Sequence, residues 1–149
     1  MQTTVTKEFT FDAAHYLTKY YGKCEHLHGH TYKLHVTLSG EVQSNGLLID
    51  FVILKRIVKK HVLDFLDHKN LNDIFDNPTC EHIAHWIWNK LENIETLLAE
   101  ELQDPNLDED IKQYIQNPES GLDKNQNHQV QLHEIKLWET ATSFVTIQR

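Results

Sequence analysis

Two hydrophobic periodicities divide this chain. Residues 3–11 alternate apolar and polar positions and are rich in Thr, Val and Phe, which predicts a β-strand. Phe9, Phe11, Ala13 and His15 share one parity, so they share a face if the strand runs that far. Alternation returns over residues 30–43. There His30, Tyr32, Leu34, Val36 and Leu38 lie on one side, opposite Thr31, Lys33, His35 and Thr37. Ser44-Asn45-Gly46 is a turn signal. From Phe51 to Phe65 the apolar residues recur at three- and four-residue steps: Leu54, Ile57, Val58, Val62 and Phe65. With Lys55, Lys59 and Lys60 between them, this is an amphipathic helix, and Asp50 is its expected N-cap. A second helix is expected to start at Asn77-Pro78-Thr79, capped by Thr79, with Ile83, Ile87, Leu91, Ile94 and Leu98 as its stripe. Two further strands, 129–139 and 143–149, close the chain around a turn at Thr140 to Thr142. The order β-β-α-α-β-β predicts an α+β fold, a four-stranded antiparallel sheet with two helices on one face.

One stretch breaks the pattern. Glu100, Glu101, Asp104, Asp108, Glu109 and Asp110 crowd together, and Pro and Asn are frequent from 100 to 128. This reads as a solvated acidic insertion within a single domain spanning 1–149, with a short helix from about 107 to 116. The length of 149 residues suits one domain with a real core. A net charge of -8 argues against nonspecific binding to nucleic acid or anionic membrane, since both need a basic surface. The amino-terminal MQTTVTKEFTFDAAH has no basic segment followed by an apolar run, and Gly46 to Leu54 is far too short to span a bilayer. With two cysteines, a cytoplasmic location and reduced thiols are expected.

Candidate chemistry concentrates in KCEHLHGHTY, residues 23–32, which holds Cys24, His26, His28 and His30. His28 and His30 are spaced i, i+2, so both imidazoles project from one face of an extended chain. An antiparallel neighbour would bring His15 alongside them. Three imidazoles from two paired strands leave a fourth position open on a tetrahedral Zn2+. His26 has the same parity, and spacing alone does not say which three of the four histidines bind. Cys24 is open to three roles: a fourth ligand, a base or nucleophile, or an inert thiol. Cys80 reads as packing. Asp67-His68 follows the first helix, where a loop can turn both side chains toward one cleft and let the Asp orient the His. Glu139, at the end of the third strand, is either an exposed strand-end carboxylate or an inward one that needs a partner with several N–H donors.

Taken together, FTFDAAHYL, KCEHLHGHTYKLHV, LIDF, LDHKNLND, NPTCE and LWET resemble, in this order, the 6-pyruvoyltetrahydropterin and 6-carboxytetrahydropterin synthase family. The resemblance covers about residues 8–98 and 130–149. It implies His15, His28 and His30 as zinc ligands, Cys24 as the catalytic cysteine and Asp67 and His68 as the pair completing its triad. It further implies Glu139 as the carboxylate that anchors a pterin ring. Thr79 and Glu81 fall in the segment that, in the family, approaches the pterin from a neighbouring subunit. The implied architecture is the tunnelling fold, a homohexamer built as a dimer of trimers with active sites between subunits. The three-residue gap between Cys24 and His28-Gly29-His30 is that of the bacterial 6-carboxytetrahydropterin synthases of queuosine-precursor biosynthesis. The implied reaction takes 7,8-dihydroneopterin triphosphate to 6-carboxy-5,6,7,8-tetrahydropterin, acetaldehyde and triphosphate. The insertion at 100–128 departs from the compact family members and is expected to point away from the site.

Overall fold

The computed structural model describes residues 1–117 and 130–149. Residues 118–128 of the acidic insertion and residue 129 of the predicted third strand lie outside the described residues. Two long strands, β1 (Thr3–His15) and β2 (His28–Gly40), pair antiparallel along their whole length, in register from Thr3 opposite Gly40 to His15 opposite His28. The alternating residues Phe9, Phe11, Ala13, Tyr32, Leu34, Val36 and Leu38 are buried on the face that packs against the helices. This is the expected consequence of a period-2 pattern with one covered face.

The first predicted helix forms, but its turn widens partway. It runs as α1 (Phe51–Val58), a π-helical turn from Lys59 to Leu63, and α2 (Asp64–Leu66). The Asp50 side chain caps it, accepting from the Val52 N–H at 2.7 Å. The wider turn shifts the apolar stripe: Leu66 is fully buried and Phe65, expected in the core, is half exposed. The Phe65 ring instead meets Trp86 edge-on at 6.0 Å, and the Lys90 ammonium lies 5.5 Å above it.

Behind this helix the chain makes a two-residue strand, β3 (Lys69–Asn70), parallel to Ala13 and Ala14 of β1. The sheet is completed by β4 (Gln131–Thr140) and β5 (Ser143–Gln148), giving the order β3-β1-β2-β4-β5. It is therefore a five-stranded mixed sheet, not the four-stranded antiparallel one expected. Two residues are too few to show any period.

The second helix also differs. α3 (Cys80–Leu91), capped by Thr79 as expected, stops at Leu91, and α4 (Ile94–Leu102) starts afresh after Asn93. Asn93 leaves helical dihedrals at φ -92°, ψ 44°, as suits a residue that favours turns over helix interiors. The stripe residues Ile83, Ile87, Leu91, Ile94 and Leu98 are all buried across the break. The short helix expected near 107–116 is α5 (Glu109–Gln116).

The acidic stretch is not wholly a solvated face. Glu101 is only 2% exposed, and its carboxylate accepts from Arg56 Nε at 2.7 Å with Lys60 Nζ at 3.7 Å. A carboxylate buried at this depth needs such cations. The pair reciprocally raises the Arg56 pKa, chiefly through the Glu101 hydrogen bond. This clamp fastens the start of the insertion to the first helix, far along the chain from the candidate histidines. Among the described residues no helix is long and apolar enough to cross a membrane.

Candidate active site

The register of β1 and β2 assembles the histidines. His15 lies opposite His28, and His30 opposite Ala13, two pairs further along the ladder. All three side chains therefore emerge at one end of one face, with ring centroids 4.6 to 5.1 Å apart and planes inclined at 63° to 85°. One donor nitrogen from each lies within 4.8 Å of the other two. His26, which spacing could not separate from the others, is 82% exposed and turned toward Glu25.

Backbone carbonyls set the tautomers. His15 Nδ1 donates to the Pro78 carbonyl at 2.7 Å, and His28 Nδ1 donates to the His26 carbonyl at 2.7 Å. A carbonyl only accepts, so each ring carries its proton on Nδ1 and turns the Nε2 lone pair inward. Those two Nε2 atoms face each other at 3.1 Å. His30 Nε2 is buried with no hydrogen-bond partner, and burial lowers the His30 pKa, with Glu139 opposing. Lone pairs converging on one point, with an orphaned nitrogen among them, suit a divalent cation. The donor set fits zinc. Cys24 is not part of this group of donor atoms. Beneath it, Tyr32 is fully buried, stacks on Phe11 at 4.9 Å and brings its hydroxyl to 3.4 Å from His15 Nδ1.

Glu139 reaches the same point from β4. Trp138 pairs with Phe144 and Thr140 with Ser143, so Glu139 is the extra residue of a β-bulge. Bulges re-aim side chains. Here the carboxylate Oε1 lies 3.3 Å from His15 Nε2 and 3.8 Å from His30 Nε2. Glu139 also lines a cavity of about 200 Å³ with Thr79, Glu81, Cys80 and Phe144. Glu139, Thr79 and Glu81 thus share one cavity within a single chain, whereas the resemblance implied that Thr79 and Glu81 reach the ring from a neighbouring subunit. Cys80 donates from Sγ to the Leu137 carbonyl, and burial pushes its thiol up to about 12, the packing role expected of it.

Asp67 and His68 do face one another. His68 adopts a left-handed φ of 59°, its N–H donating to the Asp12 carbonyl at 2.7 Å. This turns the ring so that Nδ1 meets Asp67 Oδ1 at 3.0 Å. The same Oδ1 accepts from the Asp12 N–H at 3.0 Å, and that bond, aided by His68, lowers the Asp67 pKa. His68 is 78% exposed and lines an open cleft of about 590 Å³ together with His30. Cys24 sits in a 3-10 turn between β1 and β2, half-buried and free of any disulfide. Its carbonyl accepts from the Leu17 N–H, tying the loop shut.

Two supports of the site carry no residue-type signal: the Pro78 and His26 carbonyls. A third, Tyr32, looked like an ordinary core aromatic.

The family model described as 6-pyruvoyl tetrahydropterin synthase matches residues 4–117. The 6-carboxy-5,6,7,8-tetrahydropterin synthase of Haemophilus influenzae is 35% identical over an alignment covering 97% of each chain. A dihydroneopterin monophosphate aldolase of Pyrococcus furiosus is 45% identical over 58% of this chain and 73% of its own. In structure, 6-pyruvoyl tetrahydropterin synthase of Caenorhabditis elegans matches with a TM-score of 0.69 at 25% identity, covering all of this chain and 96% of that one. With the family match spanning most of its length and a relative aligned nearly end to end, the chain belongs to the 6-pyruvoyl tetrahydropterin synthase family.

Proposed function

We propose that this chain is a zinc-dependent carbon–carbon lyase that converts 7,8-dihydroneopterin triphosphate and one water to 6-carboxy-5,6,7,8-tetrahydropterin, acetaldehyde and triphosphate, in the supply of a queuosine precursor. The observation that carries the reading is the convergence of the His15 and His28 Nε2 lone pairs with a ring nitrogen of His30, beside a carboxylate that also lines a ring-sized cavity. His15, His28 and His30 would hold the zinc, which supplies a Lewis acid that polarises side-chain oxygens and acidifies the neighbouring C–H bonds.

The remaining work falls to the chain's own groups. Glu139 accepts two hydrogen bonds from the amino and ring N–H groups of a pterin, a bidentate fit that fixes the ring's orientation. Thr79 and Glu81 line the same cavity and position that ring. Cys24 as a thiolate takes a proton from the side chain. His68, its Nδ1 held by Asp67, keeps Nε2 free to exchange a proton with the open cleft. The close match to the Haemophilus protein along the whole chain favours the 6-carboxy product over the 6-pyruvoyl one.

Assembly as a homohexamer, a dimer of trimers, is part of the reading. β5 ends the sheet, and among the described residues no strand pairs with its outer edge. An edge of unpaired N–H and C=O groups is a template for another chain. The resemblance puts the active sites between subunits, so a monomer is expected to be inactive.

The test is to incubate zinc-loaded protein with 7,8-dihydroneopterin triphosphate and weigh the products by mass spectrometry. Acetaldehyde with the 6-carboxy product is the expected result. A product that keeps all three side-chain carbons overturns the lyase assignment in favour of 6-pyruvoyltetrahydropterin synthesis. Absence of turnover by a zinc-replete hexamer reduces the protein to a zinc- and pterin-binding oligomer.

A further inference from the structure

We propose that Asn72 and Asn77 are positioning residues for Cys24: their side-chain amides fix the loop that carries this thiol, and through it the geometry of proton transfer. The catalytic half of this inference rests on the function proposed above; the hold on the loop does not.

β1 leaves the sheet at His15, and among the described residues no strand pairs with the backbone beyond it. The segment between β3 and α3 supplies the partners instead. The Asn72 carboxamide grips one residue at both ends: its Oδ1 accepts from the Tyr16 N–H at 2.9 Å, and its Nδ2 donates to the Tyr16 carbonyl at 3.0 Å. A carboxamide carries the same kinds of donor and acceptor as a peptide group, so this side chain acts as one more rung after Ala14 and Asn70. Two residues on, Asn77 Oδ1 accepts from the Thr18 N–H at 3.1 Å, and the Thr18 hydroxyl donates to the Asp76 carbonyl at 3.2 Å. Between these anchors the Leu17 N–H donates to the Cys24 carbonyl at 2.8 Å. Cys24 is thus tied by its own backbone to the residue whose two neighbours are anchored.

Lys19 to Gly22 and Glu25 to Leu27, on either side of Cys24, are exposed, whereas Cys24 itself is half-buried. A loop with so little buried surface takes its position from the hydrogen bonds at its root. The same short segment sets two other parts of the site: the Pro78 carbonyl holds His15 Nδ1, and Thr79 lines the ring cavity. One stretch of chain, 72–79, thereby keeps thiol, metal ligand and cavity in a common frame. A thiol that transfers a proton needs that frame, since a displacement of about 1 Å costs on the order of 100-fold in rate.

Asn72→Ala and Asn77→Ala are to be made in the full-length native chain and in Cys24→Ala, and each protein assayed for turnover and zinc content. Where Cys24 is present, its alkylation by iodoacetamide is timed on the Cys24 peptide by mass spectrometry. Both Ala variants are expected to lose about 10- to 100-fold in kcat. Zinc content is expected to hold, because the carbonyl that orients His15 is backbone and stays in place. Cys24 is expected to alkylate at least about fivefold faster, the shift in loop opening that loss of one hydrogen bond gives. In the Cys24→Ala background the same substitutions are expected to cost less than about twofold, because a residue that acts through the thiol has nothing left to position. Asn77→Asp keeps the acceptor for Thr18 and is expected to recover most of the loss. Asn72→Asp sets an anion against the Tyr16 carbonyl and is expected to recover little. Unchanged alkylation in both Ala variants overturns the hold on the loop, and equal losses in the two backgrounds overturn the action through Cys24. If Asn72→Ala does not fold, Asn77→Ala with its Asp counterpart decides the same points. A fully active Cys24→Ala protein would sink the proposed function and the catalytic half together, while alkylation still decides whether the two amides hold the loop.

Discussion

Alanine at Cys24 is expected to lower turnover about 1,000-fold, within the range for loss of a general acid or base, while leaving zinc stoichiometry unchanged. The two readouts separate the roles that the sequence left open for this thiol. Its sulfur lies outside the group of three converging nitrogens, so removing it takes nothing from the cation. The Leu17–Cys24 backbone bond, which closes the loop, does not involve the side chain and survives the change. The loss therefore falls on kcat and not on metal content or fold. Cys24→Ser is expected to be nearly as impaired, because a hydroxyl does not ionise near neutral pH as a thiol does. Steady-state kinetics with zinc analysis of the same samples makes the check. Loss of zinc in Cys24→Ala would make the cysteine a ligand and the site a structural one.

The second large effect is at the triad. His30→Ala is expected to weaken zinc by more than about 100-fold, since removing a ligand costs more than the 10- to 100-fold of losing an outer partner. Turnover should fall with it. His26→Ala is the matched control, four residues earlier in the chain and also an imidazole. Its side chain is exposed and only its carbonyl serves the site, so zinc affinity should hold within about twofold. Isothermal titration on both variants decides the matter. Equal losses would mean that the cluster binds metal without the selectivity that the β1–β2 register gives it.

Much of this arrangement can be read from residue types. Alternation marks β1 and β2, the strands expected at 129–139 and 143–149 meet β4 and β5, and the caps at Asp50 and Thr79 are where side-chain chemistry places them. The family motifs single out His15, His28 and His30, which spacing alone could not do, and the register brings those three together. What stayed hidden has physical reasons. The π-helical turn at Lys59–Leu63 moves the core position from Phe65 to Leu66, and a pattern counted at 3.6 residues per turn has no place for it. Glu101 looked like one more solvated acid because its partners, Arg56 and Lys60, lie more than forty residues earlier. The bulge that aims Glu139 is a matter of pairing between two strands, and neither strand announces it alone. The Pro78 carbonyl, which orients His15, belongs to every residue's backbone and so leaves no trace in composition.

The contrast between the two thiols reaches beyond catalysis. Cys80 is buried, protonated and engaged with the Leu137 carbonyl, while Cys24 lies half-exposed in its turn. Towards an alkylating reagent or hydrogen peroxide the native chain should behave as a one-thiol protein, because reactivity follows exposure and thiolate character. Oxidative damage to this enzyme would then have one address. At the sulfenic stage it would be reversible by any small thiol, and the fraction still active could be read directly from the fraction still open to labelling.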